Sequence, residues 1–193
     1  MYTIDKEVKT EQEINKSVFI TYLKPVTTVE DAKAYISYVK ELHPDATHHI
    51  SCYTVGNTGE YGHTTDDGEP SGTAGLPLLD VFRKNDLTNF VCIVVRYFGG
   101  IKLGAGGLVR AYSSSGSMAL KEANIIPIIT YTSFKATFHY SYLGLIQNTI
   151  NNDYIVDKTF SSNVTVTFKL PVSEEEKTKA LLIELTNNQI TIQ

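Results

Sequence analysis

The segment from Val91 to Ser115 constrains the fold more than any other part of the chain, because glycines crowd between two structured stretches. An apolar run is followed by five glycines within nine residues and then by a helix-forming stretch. Glycine permits positive φ and close backbone approach. A loop of this kind before a helix directs several N–H groups at one place, where the helix dipole favours an anion. The segment therefore predicts a strand, a tight turn and a helix whose start accepts phosphate, or else a turn that serves packing alone.

Charge favours the anion interpretation locally. The segment carries three cations and no carboxylate, and residues 81–130 have a balance of +4 within a chain of net charge −4. The rest therefore carries −8, which argues against nucleic-acid binding by the whole surface. The alternative to an anion-binding patch is that these cations are scattered over a solvated face and bind nothing. The predicted contacts to phosphate or RNA are Arg96, Gly99, Gly100, Lys102, Gly104, Gly106, Gly107 and Arg110.

The glycine loop matches neither of the common nucleotide-binding motifs. Gly99 and Gly104 have the spacing of a P-loop, but Ala105 and Gly106 follow where lysine and serine or threonine belong. Val109 stands where a dinucleotide fingerprint has its third small residue. The sequence thus argues against a Walker ATPase and against a Rossmann oxidoreductase.

A second polar loop, Asp66–Gly75, gathers three carboxylates and three glycines. Asp66, Asp67 and Glu69 are oxygen ligands of the kind that Mg²⁺ takes, and His48 could add a nitrogen ligand or a general base. The competing interpretation is a structured loop whose aspartates bond to nearby N–H groups and cap the next helix. No cofactor is certain from this pattern, and magnesium is the one that it suggests.

Length and composition favour an ordinary globular protein with one large or two small domains. No apolar run approaches the roughly 18–20 residues that span a bilayer. The stretch Met1–Glu13 has no basic region followed by an apolar one, so we expect neither a membrane anchor nor a secretory signal. Cys52 and Cys92 lie in apolar runs without CxxC spacing, which predicts buried free thiols in a reducing compartment. We therefore expect a cytoplasmic protein.

Hydrophobic periodicity and capping residues predict the elements of the first two thirds of the chain. Strands are expected over 16–26, 48–55, 90–97 and 125–131, a polar loop over 57–72, and helices from Thr27 or Thr28 to His43, over 73–85 and over 104–123. The strand over 90–97 is apolar at successive positions, which is typical of a central strand covered on both faces.

The pattern changes after Phe134. Strands are expected over 134–139, 154–160, 164–170 and 189–192, with helices over 142–151 and after Pro171, the latter with Ser173 as N-cap. This β-α-β-β-α-β order is that of a ferredoxin-like split βαβ domain. We therefore expect two domains, 1–130 and 131–193.

Two long motifs resemble one known family. DDGEPSGTAGLP (Asp66–Pro77) and VVRYFGGIKLGAGGLVRAY (Val94–Tyr112) are similar to the signature of the IMPACT/YigZ family, and HPDATHHI (His43–Ile50) is similar to the segment that precedes it there. The resemblance covers residues 1–130, and the tail resembles the small C-terminal domain of the bacterial two-domain members.

The resemblance implies an α+β fold in both domains. The first domain would be like domain IV of elongation factor G, a two-layer β/α fold also used by ribosomal proteins and by a kinase superfamily. The second would be like domain V of that factor. The resemblance also implies a link to translation, because eukaryotic members bind an activator of a stress-responsive initiation-factor kinase through an extra N-terminal domain that this sequence does not show.

Three hypotheses follow for function. The leading one is a cytoplasmic, non-enzymatic, translation-linked protein that contacts RNA, the ribosome or a phosphate-bearing ligand through the basic glycine-rich loop. The second is a magnesium-dependent enzyme or sensor for a phosphorylated small molecule, with His48 as a base. The third is a protein-interaction module with a protein partner in translation control. Whether the two glycine-rich loops form one site is left open by the sequence.

Overall fold

The computed structural model describes all residues, 1–193, as two compact units, Met1–Ile128 and Ile129–Gln193. The mixed α/β character expected from the sequence is confirmed. The first unit contains β1 (Tyr2–Ile4), β2 (Val8–Ile14), β3 (Ser17–Pro25), α1 (Val29–Leu42), β4 (His48–Val55), β5 (Tyr61–Thr65), α2 (Gly75–Arg83), β6 (Phe90–Tyr97), α3 (Gly104–Glu122) and β7 (Ile125–Pro127). None of the helices combines the length and the apolar character needed to cross a bilayer.

The first unit is built on a five-stranded antiparallel sheet in the order β2-β3-β6-β4-β5. Successive residues of the central strand β6 enter two different cores: Cys92 and Val94 pack with α2 and α3, whereas Ile93 and Val95 pack with α1. The sheet is therefore covered by helices on both faces, as its unbroken apolar run predicts. The two-layer arrangement expected for this domain is wrong, because α1 adds a third layer.

The N-cap predicted from the sequence is present in one helix and absent from another. The Thr28 hydroxyl accepts the N–H of Asp31 at 3.0 Å, so the expected cap of α1 is confirmed. Helix α5 (Val172–Leu185) instead begins one residue before Ser173, with Pro171 at the cap position and no side-chain hydrogen bond. The expected Ser173 cap is therefore wrong, because Ser173 already lies within the first turn and Pro171 at the cap position has no side-chain oxygen to accept an N–H group.

Three strands depart from the sequence prediction. No strand was predicted within the first 15 residues, yet β1 and β2 lie there. The inner face of β2 includes the polar residues Thr10 and Gln12, so its sequence lacks the apolar–polar alternation that predicts a strand. The polar loop over 57–72 contains β5, whose residues are mostly exposed at the sheet edge. The strand expected over 125–131 ends at Pro127, and β7 pairs only with β1.

The second unit has the expected β-α-β-β-α-β order. It contains β8 (Tyr131–Phe138), α4 (Leu143–Thr149), β9 (Ile155–Phe160), β10 (Val164–Pro171), α5 and β11 (Ile190–Ile192). The antiparallel sheet has the order β11-β8-β10-β9, in which β10 lies between the two strands of the first βαβ unit. This is the split βαβ layout. The second unit has a separate hydrophobic core, which includes Phe134, Phe168 and Leu182.

The two cysteines are free and buried, as predicted. Cys52 in β4 lies directly opposite Cys92 in β6. Burial raises the pKa of the Cys92 thiol, and the neighbouring Cys52 raises it further. The thiol form is therefore favoured in the core, where a thiolate would be poorly solvated.

Candidate functional site

The loop before α2 is organised by one carboxylate. Asp66 accepts the N–H of Gly72 at 2.7 Å, of Ala74 at 3.1 Å and of Gly75 at 2.8 Å. Ala74, the residue at the cap position of α2, has no side chain that could do this. Burial alone would raise the pKa of the Asp66 carboxyl, but the three N–H groups outweigh it and lower the pKa. Asp66 therefore shapes the loop and caps the helix.

Glu69, three residues further on, turns inward to a buried ion pair. Its Oε1 atom accepts Arg96 Nη1 at 2.6 Å and the Tyr112 hydroxyl at 2.7 Å. The side chains of Glu69 and Arg96 are 4% and 5% exposed. Burial raises the pKa of the Tyr112 hydroxyl, and its hydrogen bond to Glu69 raises it further. One carboxylate thus joins the first loop to β6 and α3.

Arg96 also reaches the β2–β3 turn, where its Nη2 atom donates to Ser17 Oγ at 3.3 Å. The remaining guanidinium nitrogen, Nε, is buried and has no hydrogen-bond partner in the protein. Buried donors without partners are uncommon in folded proteins and often mark a place where water or a ligand binds. Arg96 is therefore a buried cation with one unused donor, and its predicted contact with phosphate or RNA stays a prediction.

His48, at the start of β4, faces the same carboxylate. Its Nδ1 atom lies 2.8 Å from the carbonyl oxygen of Asp67. Because a carbonyl only accepts hydrogen bonds, Nδ1 carries the proton and Nε2 of the neutral ring is an acceptor. Nε2 lies 3.8 Å from Glu69 Oε2, the carboxylate oxygen that Arg96 and Tyr112 leave unused.

The second loop, between β6 and α3, is held by close backbone packing. The N–H of Gly99 donates to Ser17 Oγ at 3.2 Å, and a Cβ atom on Gly99 would lie 1.9 Å from the Lys16 carbonyl oxygen. Gly100 and Gly104 have φ of +84° and +71° with open space beside them. Helix α3 then begins with no side-chain cap and no acidic residue in its first turn. Its first N–H groups therefore lack a side-chain partner.

The two loops meet in one pocket of about 400 Å³. Of the residues predicted to bind a ligand, His48, Glu69, Arg96, Lys102 and Gly104 line it. Asp66, Asp67, Gly99, Gly100, Gly106, Gly107 and Arg110 do not. Arg110 is exposed on α3, beyond the pocket. The apolar wall, which the sequence analysis missed, is formed by Pro70, Phe98, Leu103, Ala105 and Leu108.

The signal that could have revealed part of this wall is Phe98. It follows a buried strand and precedes two glycines, and it is 45% exposed although it is a large aromatic residue. Its N–H donates to Thr47 Oγ1 at 3.0 Å, which fixes the backbone at the rim. An aromatic side chain held at the mouth of a polar pocket is suited to contact a flat ligand.

The three carboxylates that the sequence suggested as magnesium ligands do not come together in one cluster. Asp66 is occupied by three N–H groups and Glu69 by Arg96 and Tyr112, while Asp67 Oδ2 accepts the N–H of His49 at 2.6 Å. No three or more histidine, cysteine, aspartate or glutamate side chains come together in an arrangement that could hold a metal ion. The carboxylates diverge because each organises a different part of the loop.

Family models match both units of the chain. A model described as the Impact N-terminal domain matches residues 15–120, which is more than half of the chain and includes both glycine-rich loops. The chain belongs to the IMPACT family. A second model, a domain of unknown function named DUF1949, matches residues 137–189. The pocket therefore lies wholly within the IMPACT-type domain.

Relatives and a solved structure agree with this assignment. The chain is 38% identical over 194 residues to the IMPACT family member YvyE of Bacillus subtilis, covering 99% of this chain and 89% of that protein. It is 32% identical to the IMPACT family member YigZ of Escherichia coli, over 94% of this chain and 91% of that protein. A crystal structure described as a hypothetical protein is 31% identical, with a TM-score of 0.66, and the match covers 99% of this chain and 95% of that one. The two-domain IMPACT architecture is thus shared along nearly the whole chain.

Proposed function

We propose that this IMPACT family member is a cytoplasmic, translation-linked binding protein that contacts RNA on the ribosome through the pocket and the basic surface beside it. The observation that carries the proposal is the convergence of both glycine-rich loops on one pocket at the uncapped start of α3. Helix N-termini with free N–H groups are general anion sites. Phosphate is the anion that RNA presents along its whole length.

The charges around the pocket support an anionic ligand. Glu69 is neutralised by Arg96 at 2.6 Å, so Lys102 is left as the uncompensated charge of the pocket, with no carboxylate within 4.0 Å. Arg110 adds a second exposed cation on the same helix start, also without an acidic partner. Cations of this kind position a phosphate backbone without reading its sequence.

The family resemblance adds the link to translation. It implies that eukaryotic members act in translation control and that the second domain is like domain V of elongation factor G. The split βαβ layout of the second unit agrees with the latter likeness at the level of topology. A protein partner in translation control would use the same exposed surface, and nuclease treatment separates the two cases.

The test is ribosome co-sedimentation with and without nuclease, at low and moderate salt. The variant pair Lys102→Ala/Arg110→Ala removes one cation at the pocket and one on α3 beyond it, and Lys33→Ala/Lys84→Ala removes two exposed cations elsewhere in the same unit. Arg96 is left intact because it is buried. We expect salt-sensitive association that the first pair weakens, with the slope of log K against log salt reduced by about 2, and that the control pair leaves unchanged. Absence of association at every salt concentration contradicts the proposal.

A further inference from the structure

We infer that the pocket takes one ribonucleoside monophosphate unit, with its phosphate at the start of α3, its ribose hydroxyls at Glu69 and His48, and its base against Phe98. This inference rests on the proposed function, since it names the chemical group that the same pocket holds. Three observations support it, one for each part of the ligand.

The phosphate end is indicated by unused donors. Helix α3 is 19 residues long and begins without a side-chain cap. Arg96, 4% exposed, also lines the pocket and keeps a buried Nε donor without a partner. Lys102 lines the pocket as well and is exposed. A dianionic phosphate has enough acceptor oxygens to use the N–H groups of the helix start and the Lys102 ammonium group together.

The ribose is indicated by two acceptors that face each other. Glu69 Oε2 makes no hydrogen bond, and His48 Nε2 of the neutral tautomer is an acceptor 3.8 Å away. At 3.8 Å the two atoms make no hydrogen bond to each other, so each can pair with a hydroxyl of the ligand. The adjacent hydroxyls of a ribose supply two donors side by side, and acidic residues bind ribose hydroxyls in this way in other nucleotide sites. The same acceptors keep the phosphate away from this part of the pocket.

The base is indicated by the apolar wall. Phe98 is exposed at the rim, and Leu103, Leu108 and Pro70 continue the surface below it. The guanidinium carbon of Arg96 lies 5.5 Å from the centre of the Phe98 ring and holds it by a cation–π contact. Aromatic side chains bind unpaired bases by stacking, with little preference for sequence. A pocket of about 400 Å³ is within the usual size range for small ligands.

The same chemical unit comes from two sources, a free mononucleotide or an unpaired nucleotide of RNA. A base inside a duplex is stacked on both sides and presents no free face to Phe98. The inference therefore excludes double-stranded RNA as the ligand of the pocket, although a duplex remains able to contact the basic surface beside it.

Calorimetric titration of the full chain tests the inference. The probes are the four ribonucleoside 5′-monophosphates, 2′-deoxyadenosine 5′-monophosphate, adenosine, inorganic phosphate, and a short single-stranded RNA with a 5′-phosphate. We expect a ribonucleoside monophosphate to bind at least tenfold more tightly than phosphate, adenosine or the deoxynucleotide. Tighter binding of the RNA than of every mononucleotide identifies RNA as the source, and the reverse order identifies a free nucleotide.

Two variants locate the ligand. Phe98→Ala should weaken nucleotide binding about tenfold, as loss of one stacking partner does. Tyr38→Ala removes an aromatic of similar exposure on α1, on the other face of the sheet, and should leave the affinity unchanged. Lys102→Ala should weaken the binding of the nucleotides and should leave the weaker binding of adenosine unchanged, because adenosine has no phosphate. Both Phe98 and Lys102 are exposed, so these variants should keep the wild-type melting temperature.

The outcomes separate this inference from the proposed function. Phosphate binding as tight as nucleotide binding, or no effect of Phe98→Ala, overturns the inference. Ribosome association that depends on Lys102 and Arg110 without any mononucleotide binding also overturns it, while the proposed function stands. Mononucleotide binding that Phe98→Ala weakens, in a chain that never associates with ribosomes, supports the inference and removes the proposed function.

Discussion

Glu69 is the residue on which the site depends, because it is a buried carboxylate that receives both a guanidinium and a phenol. Its partner Arg96 lies 27 positions further along the chain, so a local pattern of charges beside a glycine loop does not reveal the pair. Arg96 and Glu69 were therefore predicted as separate contacts, Arg96 to phosphate and Glu69 to a metal ion or ligand, and their pairing was not predicted.

Breaking this pair should be costly. Arg96→Met leaves Glu69 buried without its counter-charge, and we expect a loss of about 3–5 kcal/mol in the free energy of unfolding. The double variant Arg96→Met/Glu69→Leu should recover all but about 1 kcal/mol, the cost of leaving the Tyr112 hydroxyl without a partner. Urea unfolding of both single variants and the double variant measures this. Additive losses in the double variant would contradict the ion pair as the cause.

Asp66 gives stability that depends on pH. Its pKa in the folded protein is below the ordinary value of about 3.9, so the ionised form stabilises the fold above that pH. The contribution is lost as the pH falls through the lowered pKa. We expect Asp66→Ala to cost about 2 kcal/mol at pH 7, since three hydrogen bonds at the start of α2 are removed.

The measurement for Asp66 is the free energy of unfolding of wild type and variant between pH 2 and pH 7. The difference between the two proteins should shrink on the acid side of pH 4. A difference that stays constant down to pH 2 would show that the carboxylate charge is not what the loop needs. Asp80→Ala, on an exposed carboxylate of α2, is the matched control.

At the scale of elements, the apolar run of β6 and the cap of α1 were predictable because each depends on neighbouring residues only. Strands β2 and β5 were not, because each is a sheet edge whose polar residues weaken the alternation. The meeting of the two loops also escaped sequence analysis. It follows from the register of β4 on β6, which sets His48 opposite Arg96.

The turn between β6 and α3 offers a test with adjacent glycines. Gly99→Ala places a methyl group 1.9 Å from the Lys16 carbonyl oxygen, so the β2–β3 turn must move. We expect Gly99→Ala to lower the free energy of unfolding by at least about 3 kcal/mol. Gly100→Ala has free space but a φ of +84°, and should cost only about 1–2 kcal/mol.

Thermal unfolding of the two glycine variants gives the comparison. Gly100→Asn should be the mildest change, because asparagine tolerates a left-handed backbone better than alanine. An equal loss in Gly99→Ala and Gly100→Ala would mean that the close approach to Lys16 is relieved without cost, and that the turn does not depend on it.

At the scale of the whole molecule, each core draws its residues from one unit. We therefore expect residues 1–128 to fold alone, with a dispersed amide spectrum and cooperative urea unfolding. Residues 129–193 should also fold but unfold at lower urea, because a small domain buries a smaller fraction of its surface. A fragment 1–128 that stays unfolded would contradict independent folding of the IMPACT-type domain.

The pairing of β1 with β7 cannot form during synthesis until almost the whole first unit has been made. One edge of β1 bonds to Asp86 and Thr88, while the other edge finds its partner only in Ile125–Pro127. A ribosome that adds about 5–20 residues per second needs on the order of ten seconds between these two strands. During that interval the beginning of the chain has an unpaired edge. The last backbone contact of the domain to form joins the first residues synthesised to those that lead into the second unit.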